Sequence, residues 1–116
     1  MDEKVGIEIT DEDNVAVVSF KTASIIDANE IRDACQEVQE FIDGNHPSRL
    51  VFDFEGVKFF SSHLLGLLLE VHAKVQSYSA EVVISAINPQ LHRIFRITNL
   101  DKVFSFFPDR EKAVRG

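Results

Sequence analysis

Residues 49–75 read RLVFDFEGVKFFSSHLLGLLLEVHAKV, and how this stretch is read decides the fold. Leu50, Val51, Phe52 and Phe54 form a short, dense apolar run with a β-branched residue and two phenylalanines, which suits a buried strand. Glu55-Gly56 breaks the run. Phe59 and Phe60 return to apolar character, and Ser61-Ser62 follows at once. Leu64, Leu65, Leu68, Val71, Ala73 and Val75 then recur at helical spacing. The order is therefore strand, loop, serine pair, helix. Backbone N–H groups at a helix start have no intrahelical partner, and the macrodipole there favours negative charge. A serine at that point can cap the helix or carry a phosphate.

Moving outward toward the N-terminus, Asp27 has the features of a helix N-cap, with Glu30 three residues on as in a capping box. Ala28, Ile31, Cys35, Val38 and Ile42 follow at spacings of three and four, with Arg32, Asp33, Glu37 and Glu40 on the wet side. Gly44 is expected to end this helix and Pro47 to prevent its resumption. Val15 to Phe20 is an apolar run suited to an inner strand. Val5, Ile7 and Ile9 alternate as in a half-buried strand. The acidic turn Asp11-Glu12-Asp13-Asn14 is compatible with a hairpin between them, although it lacks an Asn-Gly signal. Residues 21–24 read as a loop.

Beyond the serine-headed helix, Glu81 to Ile87 reads as a strand around Val82-Val83-Ile84. Asn88-Pro89 is a strong helix start: a capping side chain, then a proline whose missing N–H costs nothing there. Leu91, Ile94, Phe95 and Thr98 form the inner face of that helix, and Asn99-Leu100-Asp101 closes it. Val103 to Phe107 is a last short strand, and Arg110-Glu111-Lys112 opens a short surface helix. Strands alternating with helices imply a mostly parallel sheet, the opening pair excepted. The expected fold class is α/β: one compact domain over residues 1–116, with a mixed, mostly parallel sheet of four to five strands and helices packed on it.

The chain has 116 residues, enough for a single real core. Nineteen acids against 12 bases give a formal net charge of -7, which repels phosphate backbones and argues against direct nucleic-acid binding. No apolar span is long enough for a transmembrane helix, so no membrane association is expected. The start, MDEKVGIEIT, is polar and acidic, unlike a secretory signal. The one cysteine, Cys35, cannot form an internal disulfide, which fits a reducing cytoplasm. Cys35 lies on the apolar stripe with Asp33 and Glu37 nearby, the setting of a buried, unreactive thiol.

The usual signatures of catalysis are missing. Five scattered glycines make no phosphate-binding loop, and there is no HExxH and no cysteine pair, so neither cofactor nor metal is expected. Asp53 and Glu55 lie two apart and lack a third acidic ligand nearby, so solvation at the surface is expected for both. His46, His72 and His92 are expected to be solvated. Ser62 and His63 are adjacent, but neighbours at a helix start point in different directions, which makes a nucleophile–base pair doubtful.

The segments LVFDFEGVKFFSSHLLGLLLEVHAKV and EVVISAINPQLHRIFRITNLDKVFSFF resemble the STAS family, the sulphate transporter and anti-sigma factor antagonist domains. Asn88-Pro89, Phe95, Leu100-Asp101-Lys102 and Phe104 match the later part of the family pattern. Over its Asp-Ser-Ser/Thr-Gly-Leu-Gly motif, Leu65 and Gly66 align with the leucine and second glycine, and Ser62 with the regulatory phosphoserine. Ser61 stands where many members have Asp, His63 where they have a small residue, and Leu64 in place of the first glycine. The resemblance implies a cytoplasmic, non-catalytic anti-sigma factor antagonist. Its partner would be an anti-sigma factor with serine-kinase activity. Phosphorylation would fall on Ser62, with Ser61 as the alternative, and the docking surface would comprise Phe59, Phe60, Ser61, Ser62 and His63. A STAS scaffold or homodimer without a phospho-switch is the competing expectation.

Overall fold

The computed structural model describes residues 6–116. Val5, counted in the first strand by its alternation, lies outside the described residues. Strands β1 (Ile7–Glu12) and β2 (Val15–Phe20) form an antiparallel hairpin. Asp11 and Glu12 belong to β1, so the turn is only Asp13-Asn14, with φ of 51° and 68°. Two consecutive left-handed residues are the type I′ pattern, which Asp and Asn tolerate because their short side chains can bond locally.

Two residues, Ser24–Ile25, form β3, which begins at the last residue of the segment 21–24 expected to be a loop. Helix α1 (Ala28–Asn45) follows, and the Asp27 carboxylate accepts from the N–H groups of Asn29 and Glu30, as its N-cap role requires. The helix runs past Gly44, and the left-handed cap is His46 at φ 45°, not the glycine; Pro47 then ends it. Ile31, Cys35, Val38 and Ile42 are buried, as their spacing predicts.

Next come β4 (Arg49–Asp53), β5 (Phe59–Phe60), α2 (Ser62–Gln76), β6 (Glu81–Ser85), α3 (Pro89–Ile97), a 3-10 turn (Leu100–Lys102), β7 (Ser105–Phe107) and α4 (Arg110–Arg115). Gly56, in the turn after β4, has φ +83°, a conformation open to glycine and strained for other residues. The Asn88 side chain accepts from the Leu91 N–H and starts α3 before Pro89.

The main sheet has the order β1-β2-β4-β6-β7, parallel apart from the β1–β2 pair. β4 sits at its centre, and Leu50, Val51 and Phe52 are fully buried, which is why the run reads as continuously apolar. Pleating divides the strands between two layers. Ala16, Val18, Leu50, Phe52, Val82 and Ile84 face α1, α2 and α3 in the main core. Val17, Val51 and Val83 face the other way, onto Ala113 of α4. The C-terminal segment is therefore more than a surface helix. It covers the second face of the sheet, held there by Arg49, whose Nη1 donates to the Ala113 carbonyl at 2.8 Å while its Nη2 meets Glu81 at 2.7 Å. Phe95, fully buried on α3, meets Phe60, Phe104 and Phe106 edge-on, with centroids at 6.0, 6.1 and 5.3 Å.

Candidate functional site

The segments that lead into α1 and α2 are laced together. β3 and β5 pair in parallel, Ser24 opposite Phe59 and Ile25 opposite Phe60. The N–H groups of Lys58 and Phe59 donate to the Ala23 carbonyl at 2.8 and 3.1 Å, and that of Ser61 donates to the Ile25 carbonyl at 3.0 Å. This small second sheet brings the two helix starts to one end of the molecule.

Ser61 is the N-cap residue of α2, extended at φ -91° and ψ 167°, but its hydroxyl makes no capping bond. The Oγ is buried and has no hydrogen-bond partner. Its carbonyl instead accepts from the Leu64 N–H at 3.0 Å. Ser62 is the first helical residue, and it and His63 are exposed. The first turn of α2 contains no acidic side chain, whereas α1 has both the Asp27 cap and Glu30. The start of α2 therefore lacks both a side-chain cap and a compensating negative charge.

Phe59 is 63% exposed beside the serines, a large cost in unburied apolar area for a structural residue. Phe60 turns inward and packs on Phe54 and Phe95. Ile26, to which the sequence reading assigned no role, is 62% exposed next to the Asp27 cap. Its place between Ile25 and the Asp27 cap gave no sign of this, since one Ile outside a repeating pattern carries no periodic signal.

Between α1 and α2 runs a groove of about 600 Å³, lined along α1 by Ala28, Ile31, Arg32 and Cys35 and along α2 by Ser62, His63, Gly66 and Glu70. Gly66 is exposed, and a Cβ there would meet no atom within 4 Å. The Cys35 Sγ donates to Glu70 at 3.4 Å and accepts from the Gln39 amide at 3.1 Å. Burial pushes the thiol pKa up; the Gln39 bond pulls it down, and the bond and charge of Glu70 raise it further. At neutral pH the group is a packed thiol.

Several residues sit differently from expectation. Asp53 is buried, not solvated: register places it opposite Ser85, whose hydroxyl donates to it at 3.2 Å, and the Glu55 N–H does the same at 3.2 Å. Glu55 itself is exposed. His72 is partly covered and stacks edge-on against Phe104 at 5.5 Å, because the turn carrying Phe104 folds back over α2. His92 lies 4.3 Å from the Phe106 ring. Only His46 stays exposed as expected, edge-on to Tyr78. Among the described residues no His, Cys, Asp or Glu group is arranged to hold a metal ion, no hydrogen bond joins Ser62 to His63, and no helix is long and apolar enough to cross a membrane.

The model of the STAS domain matches residues 7–113 of this chain. An anti-sigma factor antagonist from Mycobacterium paratuberculosis is similar at 27% identity and TM-score 0.80, over 96% of this chain and 94% of that one. An anti-sigma-factor antagonist domain protein from Planctomyces limnophilus superposes with TM-score 0.84 at 21% identity, over 94% of each chain. The Bacillus cell fate determinant SpoIIAA in its phosphorylated form shares the fold at 13% identity and TM-score 0.72, over 95% of this chain and 98% of that one. With a family match across nearly its whole length and with this sheet order, the chain belongs to the STAS domain family and has the fold of the anti-sigma factor antagonists.

Proposed function

We propose that the protein is a non-catalytic regulatory module, acting in the cytoplasm, that docks an anti-sigma factor with serine-kinase activity and is switched off by phosphorylation of Ser62. The observation that supports this reading is the setting of the Ser62 hydroxyl. It is exposed at an α2 start that has neither cap bond nor acidic side chain, with exposed Phe59 alongside. Ser61 is the poorer acceptor because its hydroxyl is covered. Phe59 and His63, with Ile26 added, make the docking surface, and Phe60 supports it from beneath.

A phosphoryl group brings about -1.5 to -2 charge at neutral pH. Free N–H groups of the first turn can donate to its oxygens, so the fold survives the modification. A partner seated on Phe59 would have to desolvate a dianion, which costs several kcal/mol unless the partner supplies a cation. Phosphorylation thus releases the partner while the domain stays folded. Neither ATP nor a cofactor is bound by the module; the kinase supplies the nucleotide.

The test is titration calorimetry of the anti-sigma kinase against unmodified protein, Ser62→Ala, and protein carrying phosphoserine at position 62. Ser62→Ala is expected to bind like the unmodified protein, and phosphoserine to weaken binding at least tenfold. Equal affinity for the phosphorylated and unmodified forms refutes the switch. Ile97, 71% exposed on α3 outside the groove, favours a second reading, a scaffold or homodimer. Light scattering that shows stable self-association without a kinase partner would favour it.

A further inference from the structure

The groove between α1 and α2 contains a second feature that bears on Ser62. Of the side chains lining it, Arg32 alone carries a permanent positive charge. Arg32 projects from the first turns of α1, is exposed, and donates from Nη2 to the neutral Asn29 Oδ1 at 2.9 Å. Among the described residues it forms no ion pair; the pairs found there are Arg49–Glu81, Lys74–Asp43 and Arg115–Glu111. Ser62 and His63 form the opposite lip of the same groove. The nearest acid along α2 is Glu70, eight residues on and about 12 Å along the axis. Its carboxylate is already engaged by Cys35 and Gln39.

We propose that Arg32 is the receiving group for a phosphoryl group on Ser62, so that the modified residue is bound by its own domain across the α1–α2 groove. The inference rests on Ser62 being the modified residue and adds where the phosphate goes. A guanidinium offers a planar pair of donors that matches two phosphate oxygens, and its bond to Asn29 leaves further N–H donors free. Arg32 and Ser62 line the same groove from its two sides, and the long, exposed Arg32 side chain is the group that would turn toward the phosphate. The consequence is specific. The modified state has a closed groove mouth with a dianion and a guanidinium across it, and a phosphatase must break that pair to reach the ester. The titratable groups that line the groove besides the phosphate are Arg32, Cys35, His63 and Glu70.

The experiment uses the 116-residue chain with phosphoserine incorporated at position 62 during translation, so that it does not depend on any kinase. The second ionisation of the phosphate is followed by phosphorus NMR in three proteins: the parent, Arg32→Gln, and Lys112→Gln. The last loses the same charge on the opposite face of the sheet. A facing guanidinium favours the dianion and lowers its pKa; for a solvent-exposed pair the expected drop is about 0.5–1 unit from the ordinary value near 6. Relative to the parent, Arg32→Gln is expected to raise the pKa by about 0.5–1 unit and Lys112→Gln to leave it unchanged. An unchanged pKa in Arg32→Gln overturns the proposal, and so does an equal shift in both variants, which would mean only overall charge matters. Partner binding of the same phosphoprotein is measured separately. No Arg32 effect on the pKa with release of the partner intact overturns the Arg32–phosphate pair alone, and an Arg32 effect without release overturns the switch alone.

Discussion

Phe95→Ala should be among the most damaging single changes in the helical layer, and its cost can be worked from the structure. Phe95 has no exposed surface and is the hub of three edge-to-face contacts, with Phe60, Phe104 and Phe106. Phe-to-Ala changes in a packed core cost about 3–5 kcal/mol, because transfer energy is lost and a cavity remains. Aromatic pairs add about 0.5–1.5 kcal/mol each beyond area burial, so the upper half of that range applies, about 4 kcal/mol. The partners lie on two separate segments, Phe60 on β5 and Phe104 and Phe106 in and just before β7, and each is held by its own backbone, so the space is not readily refilled. Urea unfolding followed by circular dichroism measures the effect. With a slope of about 1.5 kcal/mol/M, the midpoint should fall by about 3 M with the slope unchanged. Phe95→Leu keeps much of the volume and should cost about 1–2 kcal/mol. A loss under about 2 kcal/mol for Phe95→Ala, at constant slope, would show that the ring is not the hub described.

The two helix starts should respond oppositely to loss of their caps. Asp27→Ala removes two bonds to backbone N–H groups and should cost about 1 kcal/mol, whereas Ser61→Ala removes a hydroxyl with no partner and should be neutral or slightly stabilising; thermal unfolding of both variants checks this, and a large loss for Ser61→Ala contradicts the geometry. Cys35 holds its proton to higher pH in the folded chain than in the unfolded one, chiefly through burial. Its contribution to stability is therefore complete below the ordinary thiol value of 9.0 and is lost as the pH rises through the folded value, since the unfolded chain then binds fewer protons. Alkylation by iodoacetamide at pH 8 should be slower than for a free thiol and should speed up in Glu70→Gln, which removes one of the groups that raise the pKa; equal rates in parent and variant would contradict that role.

Much of the architecture was legible because it rests on local signals. β2, the Asp27 cap, the α1 stripe and the Asn88-Pro89 start all follow from periodicity or capping chemistry within a few residues. The errors share a different cause. Asp53 is buried because sheet register sets it against Ser85, 32 residues away, and no local pattern announces that pairing. β3 and β5 are two residues each, too short for any alternation. The layer made by α4 depends on Ala113 meeting Val17, Val51 and Val83, which a charged C-terminal tail does not advertise. Of the candidate site, the serine pair and Phe59 were readable as a polar break followed by a helix. Ile26 and Arg32 were not: the exposure of an isolated Ile and the placing of Arg32 across a groove from Ser62 both come from tertiary packing, which no local pattern encodes.

The backbone rungs between β3 and β5 have a consequence for recognition. Ile26 and Phe59 stand 33 residues apart in the chain, yet Phe59 belongs to the small ladder and Ile26 directly follows its other strand, so both are set in place by folding. Ordering a flexible backbone costs about 1–2 kcal/mol per residue, and here that loss of freedom falls on folding and not on association. In the proposed docking role, such a face would meet a partner nearly as a rigid body, so most of the contact energy would be available to hold the complex together.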